Sequence, residues 1–197
     1  KAASGAILNY NESGDSILCL AHRSNDFLKI IEETKSLVLE IAELSEDEYE
    51  VLWMQGGGRM QFAMIPMNFL SENETAGYID SGFWANDAEK HAQFFGKTIT
   101  IASSKIEEYK NIPKIEKPIP NRLSYVHLTT NNTIYGTQIK ETISCNSPLI
   151  ADMSSDIFSE KRDYSKYDLF YAVAQKNLGA AGVTMVVLRK NLLDKTV

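Results

Sequence analysis

Two residues in the C-terminal third of the chain have side chains that could share one piece of covalent chemistry. Lys176 lies at the end of the largely apolar run Asp168-Leu-Phe-Tyr-Ala-Val-Ala-Gln-Lys, and Asp152 closes the shorter run Pro148-Leu-Ile-Ala-Asp. A lysine buried at the end of such a run loses part of its preference for the charged form, so its amine can attack an aldehyde and hold it covalently. A carboxylate at the end of a neighbouring strand can keep a pyridine nitrogen protonated, which turns the ring into an electron sink. That pairing is what pyridoxal chemistry requires. The ordinary alternative is that each residue marks the place where an apolar strand returns to water.

Further residues could complete such a site. Gly56-Gly57-Gly58-Arg59 joins an apolar run to a helical pattern, so successive backbone N–H groups and the start of a helix can face one anion. It lacks the spaced glycines and Lys-Ser/Thr ending of a Walker loop, and it is not G-x-G-x-x-G. Trp84, in Ser81-Gly-Phe-Trp, could lay an indole against a flat ring, or plug the core. Thr133, in a polar loop, has a hydroxyl that could reach a ligand oxygen or shape a turn. Gln175 adjoins the lysine and can donate to a phosphate, and Asn177-Leu-Gly-Ala-Ala-Gly supplies small residues that let the backbone pass close to a ring. His22-Arg23 could bind an anionic substrate through a charged fork.

These residues need a scaffold, and the pattern supplies one. Helical spacing runs from Asn25 to Leu44, with Ser24 or Asn25 placed to cap it. Tyr49 to Met54 reads as a buried strand and is followed by a helix from about Met60 to Leu70 that contains Pro66. A strand over Ala76–Asp80, a helix over Asn86–Phe95 and a strand over Lys97–Ala102 repeat the alternation. Later strands are expected at Leu123–Leu128, Leu149–Ala151, Leu169–Ala174 and Val183–Leu188. Alternating strands and helices imply a three-layer α/β/α domain with a mostly parallel central sheet. Ligands of such sheets gather outside the carboxyl ends of the strands, where Gln55, Asp152 and Lys176 would lie.

Composition narrows the function. The chain has 197 residues, 44% of them hydrophobic, enough for a substantial core. A formal charge of −6, with lysines and arginines interleaved among acids, argues against nucleic acid as a partner. Cys19 and Cys145 stand far apart without metal-type spacing, so neither a disulfide scaffold nor a metal site is expected, and the compartment reads as reducing and cytoplasmic. No apolar stretch is long enough for a bilayer-spanning helix, and the N-terminus lacks a signal-peptide pattern.

Taken in order, Gly56-Gly-Gly-Arg-Met-Gln-Phe-Ala-Met-Ile-Pro-Met-Asn, Asp80-Ser-Gly-Phe-Trp, Asn132-Thr-Ile-Tyr-Gly-Thr, Ala151-Asp-Met-Ser-Ser-Asp and Tyr171-Ala-Val-Ala-Gln-Lys-Asn-Leu-Gly-Ala-Ala-Gly-Val-Thr closely resemble the phosphoserine aminotransferase family. The match runs from about Leu20 to the C-terminus. It implies a fold type I enzyme using pyridoxal 5'-phosphate to move an amino group between glutamate and 3-phosphohydroxypyruvate, in serine biosynthesis with pyridoxine biosynthesis as a second role, as a cytoplasmic homodimer. By position, Lys176 would carry the cofactor and shuttle a proton, Asp152 would pair with the pyridine nitrogen, Trp84 would stack on the ring, and Thr133 would contact the cofactor. Gly58, Arg59 and Gln175 would surround its phosphate. His22 and Arg23 match a Ser-His-Arg segment that binds the substrate's acidic groups, although Ala21 replaces the serine.

The resemblance also implies that residues 1–197 form most of a large cofactor-binding domain, without the family's N-terminal arm and C-terminal small domain. Two alternatives follow: a truncated domain that binds cofactor without turnover, or another class V enzyme. An alanine–glyoxylate aminotransferase is disfavoured by the residues flanking Asp152 and Lys176, and a cysteine desulfurase by the lack of a recognisable cysteine loop.

Overall fold

The structure, a computed structural model, describes residues 2–196. Helices α1 (Ala2–Leu8) and α2 (Asn25–Ala42) lead into β1 (Tyr49–Met54), α3 (Gly57–Phe69), β2 (Thr75–Asp80), α4 (Phe83–Ala92) and β3 (Lys97–Ser103). After a long extended segment come β4 (Val126–Thr129), a small hairpin of β5 (Asn131–Asn132) and β6 (Thr137–Gln138), then β7 (Leu149–Asp152), β8 (Leu169–Val173), the single turn α5 (Ala174–Asn177) and β9 (Thr184–Arg189).

Seven strands form one sheet in the order β1-β9-β8-β7-β4-β2-β3. Strands β8, β7, β4, β2 and β3 are parallel, and only β9 runs against its two neighbours, β8 and β1. The interior strands β4, β7 and β8 are buried along their whole length; β8 accordingly reads as an unbroken apolar run and β7 as one closed by Asp152, whereas β4 buries His127 and Thr129 as well. Edge strands β1 and β3 are only partly buried.

Alternation along each strand divides the core between the two faces. Phe170, Ala172, Met185 and Val187 pack with Val38, Leu39 and Ala42 of α2. On the opposite face Ile150, Tyr171 and Val186 pack with Phe62 and Ile65 of α3 and Ala88 and Ala92 of α4. The expected three-layer α/β/α arrangement is therefore the observed one. No helix among the described residues is long and apolar enough to cross a membrane.

Element boundaries differ from expectation where capping decides them. Ser24 caps α2, its hydroxyl accepting from the Phe27 N–H at 3.3 Å. Helix α3 starts at Gly57 rather than near Met60, because Gly56 supplies the left-handed turn (φ 91°) that leads straight into the helix. Pro66 lies inside α3 without ending it; buried against the sheet together with Phe62 and Ile65, its ring helps to offset the missing backbone hydrogen bond. Helix α4 likewise begins early, at Phe83. Gly82 adopts φ 147°, and a Cβ there would fall 1.7 Å from Asn132 Nδ2, so only glycine lets the β5 side chain approach this turn.

Candidate active site

The sheet edge gathers the chemistry. Because β9 is antiparallel to both β1 and β8, these two point the same way, and Met54 and Val173 both register with Thr184. The glycine turn after β1 and the lysine turn after β8 therefore emerge side by side. Thr129, Asp152 and Tyr171 register across β4, β7 and β8, so Asp152 sits three strands along from β1, with β9 and β8 between, at the same edge and on the face covered by α3.

A cavity of about 290 Å³ opens there, lined by the Gly56–Arg59 turn, Trp84, Asp152, Gln175 and Lys176, close to the lower end of the usual range for small-molecule sites of roughly 300 Å³. A larger open groove of about 1370 Å³ lies between the 107–119 and 136–144 segments and contains none of these residues. It has no convergence of reactive side chains with a helix start, so the smaller cavity is the better candidate site.

Trp84, half-buried, is flanked by two cations: Arg59 Cζ lies 5.6 Å and Lys176 Nζ 5.7 Å from its ring centroid. Arg59 is held by an ion pair from Nε to Asp87 Oδ2 at 3.2 Å. Around the phosphate-sized turn, Gly56 and Gly57 have φ of 91° and 69°, and no side chain caps the start of α3, leaving its first backbone N–H groups for an anion.

Asp152 is buried. Its Oδ1 accepts from the Ser154 N–H at 2.9 Å and the Ser154 hydroxyl at 2.6 Å, a local turn that fixes the carboxylate plane. Ser154 in turn accepts from the Val173 N–H at 3.3 Å, tying the end of β7 to the end of β8. Burial raises the Asp152 pKa; the Ser154 hydrogen bonds and the nearby Lys176 charge pull the other way.

The structure brings together Gly58, Arg59, Trp84, Asp152, Gln175 and Lys176, and leaves three expected residues outside. Thr133 is exposed in the β5–β6 turn and does not line the cavity; the hairpin carries it past the edge, and Thr129 and Asn131 stand there instead. His22 and Arg23 are exposed ahead of α2, also outside the lining. Lys176 differs from these three. It reaches the cavity but is exposed, since α5 is a single turn at the sheet edge, so this chain alone does not bury the amine as expected.

Ser154, Ser155, Thr129 and Asn131 line the cavity without having been singled out. The Asp-x-Ser spacing of Asp152-Met-Ser154 carried a signal for the first, because a side-chain acceptor two residues before an N–H is a turn motif. For the others, only the register of β4 against β7 brings them in.

The model of the family described as Aminotransferase class-V matches residues 3–197. The chain is 49% identical over 191 residues to the phosphoserine aminotransferase of Flavobacterium psychrophilum, covering 97% of this chain and 53% of that protein. It is 50% identical over 193 residues to that of Flavobacterium johnsoniae, covering 98% and 54%. Among solved structures, the phosphoserine aminotransferase from Bacillus circulans subsp. alkalophilus superposes with a TM-score of 0.94 at 41% identity, over 99% of this chain and 54% of that one. A PLP-bound phosphoserine aminotransferase from Trichomonas vaginalis gives 0.86 at 25% identity, over 98% and 54%. The chain thus spans about half the length of the curated relatives it matches. With its family model matched from residue 3 to 197, the chain belongs to the class-V aminotransferases.

Proposed function

We propose that the cavity binds pyridoxal 5'-phosphate and that the protein serves as a phosphoserine aminotransferase, moving an amino group between glutamate and 3-phosphohydroxypyruvate to yield O-phospho-L-serine and 2-oxoglutarate. The observation that carries this reading is the convergence of an amine, a buried carboxylate, an indole and an uncapped glycine-rich helix start on one 290 Å³ cavity. Relatives of that name, at 49% and 50% identity, support the substrate assignment.

The residues present fit the group. Trp84 Nε1 and Thr129 Oγ1 are buried at the cavity without a hydrogen-bond partner, polar atoms that a ligand or water could satisfy. Gly58 faces Val173 and Ser154, where an added Cβ would sit 3.5 Å from the valine and 3.9 Å from the serine hydroxyl, narrowing the cradle. When bound, the cofactor supplies an electron sink for charge that develops at the substrate carbon. Lys176 Nζ would be its point of attachment and, once freed, would move the proton at the substrate Cα. Asp152 would hold the pyridine N–H, Trp84 would set the ring plane, and the amides of Gly58 and Arg59 with Gln175 would hold the phosphate. Thr133, His22 and Arg23 stay as proposed contacts that need parts of the site beyond this cavity.

The complete enzyme is proposed to be a cytoplasmic homodimer. Exposed apolar side chains near the site, including Met60, Phe83, Ile134 and Tyr135, offer surface for a second copy. A role with the related phosphorylated keto acid of pyridoxine synthesis belongs to the same proposal.

A second reading, cofactor binding without turnover by these 197 residues alone, is favoured by the exposure of Lys176 and by the position of His22 and Arg23 outside the lining. Incubation with cofactor, glutamate and 3-phosphohydroxypyruvate separates the two. Formation of 2-oxoglutarate supports the first reading; its appearance only with a longer polypeptide of this sequence supports the second. A longer polypeptide of this sequence that loads cofactor and still ignores both substrates contradicts the assignment.

A further inference from the structure

A line of buried polar groups runs beneath the cavity floor. Tyr171 on β8 and His127 on β4 are both buried, and Tyr171 Oη lies 3.0 Å from His127 Nε2. Strand β7 stands between them. To reach His127, the Tyr171 hydroxyl must cross over β7, and the residue that β7 places directly opposite Tyr171 is Asp152. The His127 position registers with Ile150, one step below Asp152 on the same face. A side chain bridging diagonally from Tyr171 to His127 therefore passes beside the Asp152 carboxylate.

The polarity of the line follows from its chemistry. Burial lowers the His127 pKa to about 3, so the ring is neutral and has one N–H. Its Nδ1 is buried without a partner. Placing the proton on Nε2 leaves at Nδ1 only an unused lone pair, whereas placing it on Nδ1 would strand a donor; orphaned N–H groups are the rarer defect in native proteins. With Nε2–H donating to Tyr171 Oη, the tyrosine O–H is free to donate to Asp152. Burial first, then the charge of the nearby Asp152 carboxylate and the phenols of Tyr78 and Tyr125, hold the Tyr171 pKa well above its usual value.

We infer that His127 and Tyr171 form a donor relay, Nε2–H to Oη and Oη–H to the Asp152 carboxylate, which keeps Asp152 ionised and oriented toward the cavity. They are positioning residues, acting through Asp152 without touching a ligand. Ser154 supplies two donors to Oδ1 from the loop side, and the relay adds a third from the sheet side. Charged and titratable groups around this point are Lys176 of α5, Asp156 of the loop after β7, and the phenols of Tyr78 and Tyr125, which are paired with each other at 2.8 Å. Tyr78 also stacks on His127 with ring centroids 5.2 Å apart, fixing the imidazole plane. The consequence for the cofactor rests on the function proposed above, but the relay itself is a property of the bare protein.

The test uses Tyr171→Phe, which removes only the hydroxyl, and His127→Gln, whose amide can still donate. In wild-type protein without cofactor, ¹⁵N NMR is expected to find His127 as the Nε2–H tautomer, and carboxyl ¹³C titration should give Asp152 a lower pKa than in Tyr171→Phe. His127→Gln should fall near wild type, a rescue that a packing role would not produce. Pyridoxal phosphate should bind Tyr171→Phe about tenfold more weakly, the loss of one hydrogen bond to a charged group. An Nδ1–H tautomer, or an Asp152 titration unchanged by Tyr171→Phe, would overturn the relay. Failure of wild-type protein to bind the cofactor would instead overturn the proposed function, while the titration still decides the relay. Should Tyr171→Phe not fold, wild-type tautomer and the Asp152 titration in His127→Leu against His127→Gln decide it.

Discussion

At the scale of single residues, Asp152 is where stability and function pull apart. The carboxyl's ordinary pKa is 3.8 and burial raises it in the folded chain. Between those two values the folded state retains a proton that the unfolded state has released. Stability therefore declines as pH rises through that window, and above the folded pKa the whole loss is present. Asp152→Asn keeps an oxygen for the Ser154 donors and carries no charge, so its melting temperature at neutral pH is expected to exceed that of wild type in the absence of cofactor. The same change removes the anion proposed to face the pyridine N–H, and cofactor affinity should fall by about 100-fold or more. Lower stability together with unchanged affinity would mean that Asp152 is a structural residue. Lys176 shows the limit of local reasoning in a different way: its position after an apolar run was legible, but its burial was not, because exposure depends on what else packs over α5.

At the scale of elements, two devices hold the site. The first is the turn between β2 and α4, where Gly82 lets Asn132 Nδ2 donate to Ser81 O at 2.6 Å and so fixes the start of the helix that carries Trp84. Gly82→Ala must push Asn132 away; a loss of about 1–3 kcal/mol in chemical denaturation is expected, with weakened cofactor binding alongside. Undisturbed binding would show that Trp84 is held from elsewhere. The second device is the buried pair of Arg162 and Asp156, 3.1 Å apart with side chains 5% and 4% exposed. Asp156 also accepts from Thr130 Oγ1 at 2.6 Å and Gln138 Nε2 at 3.1 Å, so it clamps the Asp152–Asp156 loop to the β5–β6 hairpin. Arg162→Met leaves the carboxylate buried without its cation and is expected to cost about 3–5 kcal/mol, less when combined with Asp156→Asn. Additive losses would count against a coupled pair. Neither device was legible in advance. Strands of two residues leave no periodic trace, and an arginine six residues from its aspartate reads as surface charge until the loop between them folds back.

At the scale of the molecule, the sheet was legible because a parallel interior needs strands apolar on both faces, as Leu149–Asp152 and Leu169–Val173 are. Strand order and the reversed direction of β9 were not, since both depend on pairings between distant segments. The buried β4 histidine gives the whole fold a pH signature. His127 titrates near 6.5 when unfolded and at about 3 when folded. Its contribution is fully present above about pH 6.5 and is lost as pH falls toward 3, with a slope of up to about 1.4 kcal/mol per pH unit. Urea denaturation between pH 7 and 5 should show that slope flattened in His127→Gln; identical slopes would mean that the imidazole is protonated in the fold. These elements converge on Lys176, the proposed point of cofactor attachment. Borohydride reduction of the protein with pyridoxal phosphate, followed by proteolysis and mass spectrometry, tests it most directly. Modification of Lys176, abolished in Asp152→Asn at limiting cofactor, is the expected result; a stable adduct at any other lysine, with Lys176 unmodified, would contradict it.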